Sequence, residues 1–178
     1  MIRVPLTHCR VALIKVALID DEDFELIRQW KWRTVLFNKK RLYVRGSKKI
    51  DNKWHNILMH RLIMNAKKGQ KIDHRTGNRL DNRRSNLRFC TSSQNNMNMK
   101  KNKGVSRYKG VCWAKQTKRW AAGIMLNRKK THLGYFENEV EAAKAYDIKA
   151  RELFGEFARP NFPTQIEQEI PAVFFLGE

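Results

Sequence analysis

Between residues 71 and 95 the sequence places two short runs, Lys71-Ile72-Asp73-His74 and Leu87-Arg88-Phe89-Cys90, on either side of a polar loop. It then continues with Thr91-x-x-Gln94-Asn95. This spacing constrains the fold more than any other feature of the chain. Each run suits a short strand, and Gly77-Asn78 and Asp81-Asn82 are turn formers between them. Thr91 and Gln94 make the reciprocal capping box that opens a helix, and that helix carries Asn95. The expected unit is therefore strand, loop, strand, helix, with its polar groups converging. A strand that ends in Asp73-His74 sends these adjacent side chains to opposite faces, so one can hold a metal while the other addresses a water. Taken singly, these residues could be a polar turn, and Asn78 and Asn82 are assigned to the loop. Their joint spacing is what points to chemistry, because phosphodiester hydrolysis needs a base for water and a Lewis acid for the phosphoryl oxygens.

The charge names the same kind of partner. The 178 residues hold 37 Lys and Arg against 17 Asp and Glu, a formal charge of +20. With 42% hydrophobic residues the chain can build cores, in one domain or two small ones, and is not a disordered basic tail. From Asn82 to Phe136 there is no Asp or Glu, whereas an ordinary solvated surface mixes both signs. Such a stretch is an electrostatic footprint for phosphates, whose condensed counterions are released on binding. A membrane surface would attract the same charge, but no basic amphipathic helix of the needed length stands out. The apolar run Val11–Ile19 is too short to span a bilayer, is interrupted by Lys15 and lacks a cleavage site, so neither a signal peptide nor a transmembrane segment is expected. Cys9, Cys90 and Cys112 stand singly, which excludes a thiolate zinc finger and a disulfide framework. A soluble, intracellular protein is expected.

Along the chain, Val-Ala-Leu-Ile occurs at 11–14 and 16–19 and favours strands. Asp20 or Asp21 could cap a helix through Phe24, Leu26, Ile27 and Trp30; the acids at 20–25 read as charges on its N-terminus rather than a second metal site. Trp32–Leu36 and Arg41–Arg45 alternate as strands of a hairpin, and Leu58–Met64 reads as a short helix. The Asn- and Lys-rich stretch from Asn95 to Arg107 reads as a linker with a boundary near residue 103. Beyond it come strand-like runs at 108–114, 119–126 and 130–135. A helix follows from about Glu137 to Phe154, started by Asn138 or Glu137 and ended by Gly155.

The central motif, with Met59-His60-Arg61-Leu62-Ile63-Met64 before it, resembles the phage and intron-borne HNH homing endonucleases of the ββα-metal fold, over roughly residues 1–97. The resemblance implies that His74 is the general base and that Asp73 and Asn95 bind one divalent cation. It also implies that Asn86 positions the imidazole or the scissile phosphate. Many members carry His where Asn95 stands; a carboxylate and an amide oxygen suit Mg²⁺ or Mn²⁺ rather than Zn²⁺. His60 could touch DNA or the active site, and a structural or phosphate role is favoured.

A second group of residues, Tyr108-Lys-Gly-Val, Arg119-Trp120-Ala121-Ala122, Leu133-Gly134-Tyr135-Phe136, Ala142-Ala143-Lys-Ala145-Tyr146-Asp147 and Asn161-Phe162-Pro163, resembles the plant Apetala/ethylene-response-factor DNA-binding domain over roughly 106–163. That family packs a three-stranded antiparallel sheet on one helix and lays the sheet in the major groove. Independently, Trp120, Ala122, Ile124 and Leu126 share the face that should meet the helix. The opposite face shows Arg119, Ala121, Gly123 and Met125 and joins Cys112, Ala114, Lys130 and His132. Trp113 and Trp120 could be base-stacking platforms; the alternation assigns Trp120 to the core. Cys112, Ala114 and Met125 stand where plant members place arginines, so the plant target does not transfer. Lys109, Lys115, Lys118, Arg119, Arg128, Lys129, Lys130 and His132 are the DNA-contact candidates, with Arg128 and Lys129 at the turn assigned to phosphates.

The expectation is an α+β protein, a ββα-metal HNH nuclease module followed by a three-stranded antiparallel sheet packed on one helix. Residues 1–103 hold the nuclease region with its core at about 55–98, 104–165 the DNA-reading domain, and 166–178 a tail. The function expected is that of a metal-dependent homing endonuclease, phage- or mobile-element-borne, acting on double-stranded DNA with no small-molecule cofactor. One HNH centre cuts one strand, so a double-strand cut needs a homodimer or two visits. The alternative is a sequence-specific DNA-binding regulator with an inactive HNH module.

Overall fold

The computed structural model describes residues 1–7, 16–37, 41–101 and 104–163; the strand expected at 11–14 and the tail at 166–178 lie outside them. The protein is a mixed α/β structure with four antiparallel sheets among the described residues. It forms two compact units, Met1–Asn95 and Asn96–Glu178.

In the first unit, β1 (Ile2–Pro5) pairs antiparallel with β2 (Val16–Ile19). A 3₁₀ turn at Asp21–Asp23 leads into α1 (Phe24–Ile27). This helix stops short of Trp30 because the Trp32 indole Nε1 and the Trp30 amide both donate to the Ile27 carbonyl, at 2.8 and 3.1 Å. Neither helix start has a side-chain cap. The acids there meet a partner distant in sequence instead. Asp20 accepts from the Arg84 amide, and Asp23, 1% exposed, takes the Arg84 guanidinium at 2.6 and 3.1 Å. The acids do stand in the first turns of the two helical elements, and Asp20 and Asp23 also anchor Arg84.

The hairpin β3 (Lys31–Phe37) and β4 (Arg41–Ile50) gains a third strand, β5 (Lys53–Leu58), that the sequence reading lacks. Its turn is Asp51-Asn52, both at positive φ (47° and 59°), as the right-twisted two-residue hairpin turn demands. β5 leads directly into α2 (Met59–Ile63). β6 (Lys71–His74) and β7 (Leu87–Cys90) form a two-stranded antiparallel ladder, followed by α3 (Ser92–Met97). The capping box is made in both directions: the Thr91 amide donates to Gln94 Oε1 at 2.8 Å, and the Gln94 amide to Thr91 Oγ1 at 3.2 Å. Ala17, Ile19, Ile27, Val44, Met59, Ile63 and Leu87 come together as the core of this unit, each buried. Burying one such aliphatic side chain contributes about 1.5–3 kcal/mol, enough to fix α2 and β7 against the N-terminal strands.

The second unit takes in part of the expected linker. Met97 packs on its apolar cluster, the Lys109 ammonium donates to the Met97 carbonyl, and Asn98 is buried. β8 (Val111–Ala114), β9 (Arg119–Leu126) and β10 (Lys129–Phe136) form one antiparallel sheet in the order β10-β9-β8. α4 (Glu139–Phe154) starts at Asn138, whose side chain accepts from the Val140 amide at 2.7 Å, and ends at Gly155 with φ 51°. Val111 and Ala122 from the sheet pack on Ala142 and Ala143 of α4, and Ile124 on Tyr146 and Ala150. Small helix residues let the backbones approach closely, and a Cβ at Gly110 would run into the Tyr146 ring. Buried Asp147 accepts from the Asn161 and Phe162 amides, both at 2.8 Å, and so ties the chain after α4 back onto the helix.

Candidate active site

β6 and β7 hold the site, and their register decides who meets whom. Asp73 lies opposite Arg88, and His74 opposite Leu87. Asp73 Oδ2 accepts from Arg88 Nε at 3.0 Å and Nη2 at 2.8 Å, with both side chains nearly excluded from water. The loop between the strands is stapled by Asn86, 4% exposed. Its Oδ1 accepts from the Thr76 amide (2.9 Å) and hydroxyl (3.0 Å), and its Nδ2 donates to the carbonyls of Asp81 (2.7 Å) and Asn78 (3.3 Å). Asn86 therefore acts on the loop backbone. β2 grips the same loop, with Leu18 N donating to Leu80 O and Asn82 N to Leu18 O, both at 2.8 Å. The sequence reading gave the first residues no such part.

His74 is 4% exposed and stands in a ring cluster. Its imidazole lies 5.1 Å from that of His60 and 6.4 Å from the Tyr43 ring, centroid to centroid, with His60 and Tyr43 5.6 Å apart. Burial is the main cause that lowers the His74 pKa to about 4; Arg79 adds to it, while Asn82, Asp73 and Asp81 oppose it. His60 falls to about 3, again through burial first and then through His74, Arg61 and Arg79. Both rings are neutral at pH 7, the form in which an imidazole has a lone pair for a proton. His60 thus belongs to the site as a buried neighbour of His74. Tyr43, on β4, and Arg79, whose guanidinium carbon lies 5.1 Å from the Tyr43 ring centroid, complete the cluster. Both escaped sequence reasoning, because no local pattern ties residue 43 to residue 74.

A divalent cation would call on hard oxygen donors. The Asp73 carboxylate and the Asn95 amide on α3 are such donors in kind, and a Mg²⁺-type ion takes its remaining ligands from water and substrate phosphate. Among the described residues no group of three or more His, Cys, Asp or Glu side chains could hold a metal ion. Arg88 already supplies one positive charge to Asp73.

In the second unit, β8–β9–β10 present an outer face by register: Cys112 opposite Ala121, Ala114 opposite Arg119, Met125 opposite Lys130 and Gly123 opposite His132. Lys115, Lys118, Arg119, Arg128, Lys129, Lys130 and His132 are exposed. Asn127 and Arg128 form the turn at positive φ, 49° and 66°. A shift in register after His132 brings Tyr135, 50% exposed, onto the same face, with its ring 4.6 Å from that of His132. Lys109 differs from the other candidates. Its ammonium serves the Met97 carbonyl and lies over the Tyr146 ring, and burial lowers its pKa to about 8. Meeting a phosphate would require giving up those partners. The first unit also offers a basic groove that sequence reasoning missed, lined by Lys31, Arg33, Arg45 and the exposed Trp54 with no acidic residue.

Residues 58–97 match the family model described as HNH endonuclease, and this segment is an HNH endonuclease domain. An uncharacterized HNH endonuclease of Acanthamoeba polyphaga mimivirus is 37% identical over 90 residues, covering 51% of this chain and 46% of the viral one. An AP2/ERF and B3 domain-containing transcription repressor of Arabidopsis thaliana is 40% identical over 62 residues, covering 35% of this chain and 17% of the plant one. The chain thus spans less than half the length of each of these curated relatives. No solved structure matches it. No helix among the described residues is long and apolar enough to cross a membrane.

Proposed function

We propose that the protein is a metal-dependent endonuclease of the homing type that hydrolyses phosphodiester bonds in duplex DNA, cutting with the HNH segment and recognising its site through the second unit. The observation that carries this reading is the buried, neutral His74 at the end of β6, adjacent to Asp73 on a loop stapled by Asn86. His74 takes the proton of the attacking water, a step typically worth ~10²- to 10⁴-fold in rate. Asp73 and Asn95 would hold a divalent cation, Mg²⁺ or Mn²⁺, which neutralises charge on the phosphoryl oxygens. Asn86 is a positioning residue, because its hydrogen bonds go to the loop and not to the reacting groups.

In the second unit, Arg119, Lys130 and His132 stand on the outer sheet face, where a β-ribbon in the major groove reads base edges. Lys115, Lys118, Arg128 and Lys129 suit phosphates. Arg119 is shared with Glu137 at 3.6 Å, an exposed pair that is weak enough to yield to DNA.

A second reading, a DNA-binding regulator with an inactive centre, draws on the Asp73–Arg88 pair and on the similarity to a transcription repressor. Random-insert plasmid DNA incubated with the protein and Mg²⁺, followed by sequencing of the ends, separates the two. Discrete ends that vanish in chelator and with His74→Ala support the nuclease. Selective binding with no ends in Mg²⁺ or in a parallel incubation with Mn²⁺ favours the regulator.

A further inference from the structure

The arginines around the site divide into two groups. Arg83 is paired with Asp81 at 2.7 Å, Arg84 with Asp23 at 2.6 Å, and Arg88 with Asp73 at 2.8 Å. Arg61 spends its guanidinium on the carbonyls of Ala66, Lys67 and Gln70. Arg79 is different. It is half-buried, and among the described residues it has neither a carboxylate partner nor a hydrogen bond. It lies on the Tyr43 ring, which is itself packed against His60 and faces His74. Its charge is felt by both imidazoles.

A partly buried cation without a counter-ion is costly unless an anion arrives to meet it. A guanidinium over an aromatic face is held without spending its N–H donors on a hydrogen bond, and two of those donors match two oxygens of a phosphate. Tyr43 stands on β4, paired with Val35 of β3, and its ring is also met edge-on by Phe37 at 5.4 Å between centroids. The loop that carries Arg79 is held on both sides of it by Asn86, through Thr76 and Asn78 before it and Asp81 after it.

We propose that Arg79, shelved on Tyr43, is a catalytic residue that grips the phosphate presented to His74. This rests on the reading of the His74 centre as a phosphodiester hydrolase. The substrate supplies the missing anion, and the guanidinium stabilises charge that grows on the phosphoryl oxygens during attack.

The test uses the full chain as wild type, Arg79→Gln, Arg79→Lys and His74→Ala, on a duplex whose cut phosphate has been mapped. Single-turnover cleavage is measured at saturating DNA. Affinity is measured in chelator on the normal duplex and on one with a neutral methylphosphonate at the mapped position. Arg79→Gln should cut ~10²- to 10³-fold more slowly, comparable to the loss of one oxyanion donor, with an unchanged thermal midpoint. Arg79→Lys should recover part of the rate, because it keeps the charge but not the fork of donors. The methylphosphonate should weaken binding by wild type and add no further loss for Arg79→Gln. Cleavage by Arg79→Gln at the wild-type rate, or an equal methylphosphonate penalty in both proteins, overturns the proposal while His74→Ala still upholds the centre. If wild type cuts no duplex, the hydrolase reading falls. The salt dependence of duplex binding then decides Arg79: a slope of log Kd shallower by about 0.9 in Arg79→Gln marks a lost phosphate, and an unchanged slope rules the contact out.

Discussion

Replacing Asp73 by Ala should unfold the first unit more readily as well as stop cleavage, and the two effects can be separated. Arg88 and Asp73 expose only 6% and 7% of their side chains, and two hydrogen bonds of 2.8 and 3.0 Å join them. Removing the carboxylate takes two charge-assisted hydrogen bonds from a guanidinium in a site with little water. Breaking a buried pair from one side costs about 3–5 kcal/mol, a large part of a domain's total of ~5–15 kcal/mol. Removing both charges is milder, because neither member of the pair is then left as a buried charge facing an apolar residue. Asp73→Ala/Arg88→Met should therefore regain most of the stability that Asp73→Ala loses. Urea unfolding of the full chain with Trp113 and Trp120 replaced by Phe, so that the tryptophan signal comes from the first unit, gives the three free energies, provided that the urea dependence stays the same. If the carboxylate also serves the chemistry, the double variant will be folded, DNA-binding and inactive. An Asp73→Ala protein within 1 kcal/mol of wild type, or a double variant no more stable than the single, would refute this account of the pair.

Three further outcomes are expected. His74→Ala should slow single-turnover cleavage by ~10²- to 10⁴-fold without weakening gel-shift affinity, and high pH should partly restore the rate; cleavage at the wild-type rate would remove His74 from its role and make His60 the next base to test. Acid should destabilise the first unit. With folded pKa values of about 3 for His60 and 4 for His74 against 6.5 unfolded, the unfolded chain takes up protons first, so stability is full above pH 6.5 and is lost as pH falls towards 4. The loss between pH 7 and 5 should be roughly 3–4 kcal/mol, and urea midpoints that do not move over that range would contradict it. A fragment of residues 96–163 should fold and bind DNA without cutting it. One starting at residue 104 should melt lower, since it lacks Met97 and the carbonyl that holds Lys109; equal melting of the two would show that the earlier residues add nothing.

Short-range features were readable from the residues. The Thr91–Gln94 capping box, the Asn138 cap, the Gly155 stop and the alternation of β9 all depend on neighbours within four residues, where the geometry of one turn or one strand face settles the outcome. The pairing of the Asp73-His74 strand with a second strand joins residues 13 to 19 apart and was legible from the motif's spacing instead. β5 was missed because Lys53–Asn56 are all exposed, so no face-by-face alternation marks them; the Asp51-Asn52 turn was the available signal. Lys109 looked like a surface cation until the fold enclosed it.

The chain by itself therefore determined the elements set by near neighbours, the acid-free stretch and the segment that matches the HNH model. Tertiary structure alone decided which charges are already spent: Asp23 on Arg84 across 61 residues, Asp73 on Arg88 by cross-strand register. It also decided which side chains surround His74, since Tyr43, His60 and Arg79 come from three separate segments. The physical reason is that burial and electrostatic pairing are properties of proximity in space. They do not exist until packing of the core brings distant segments to the same few ångströms.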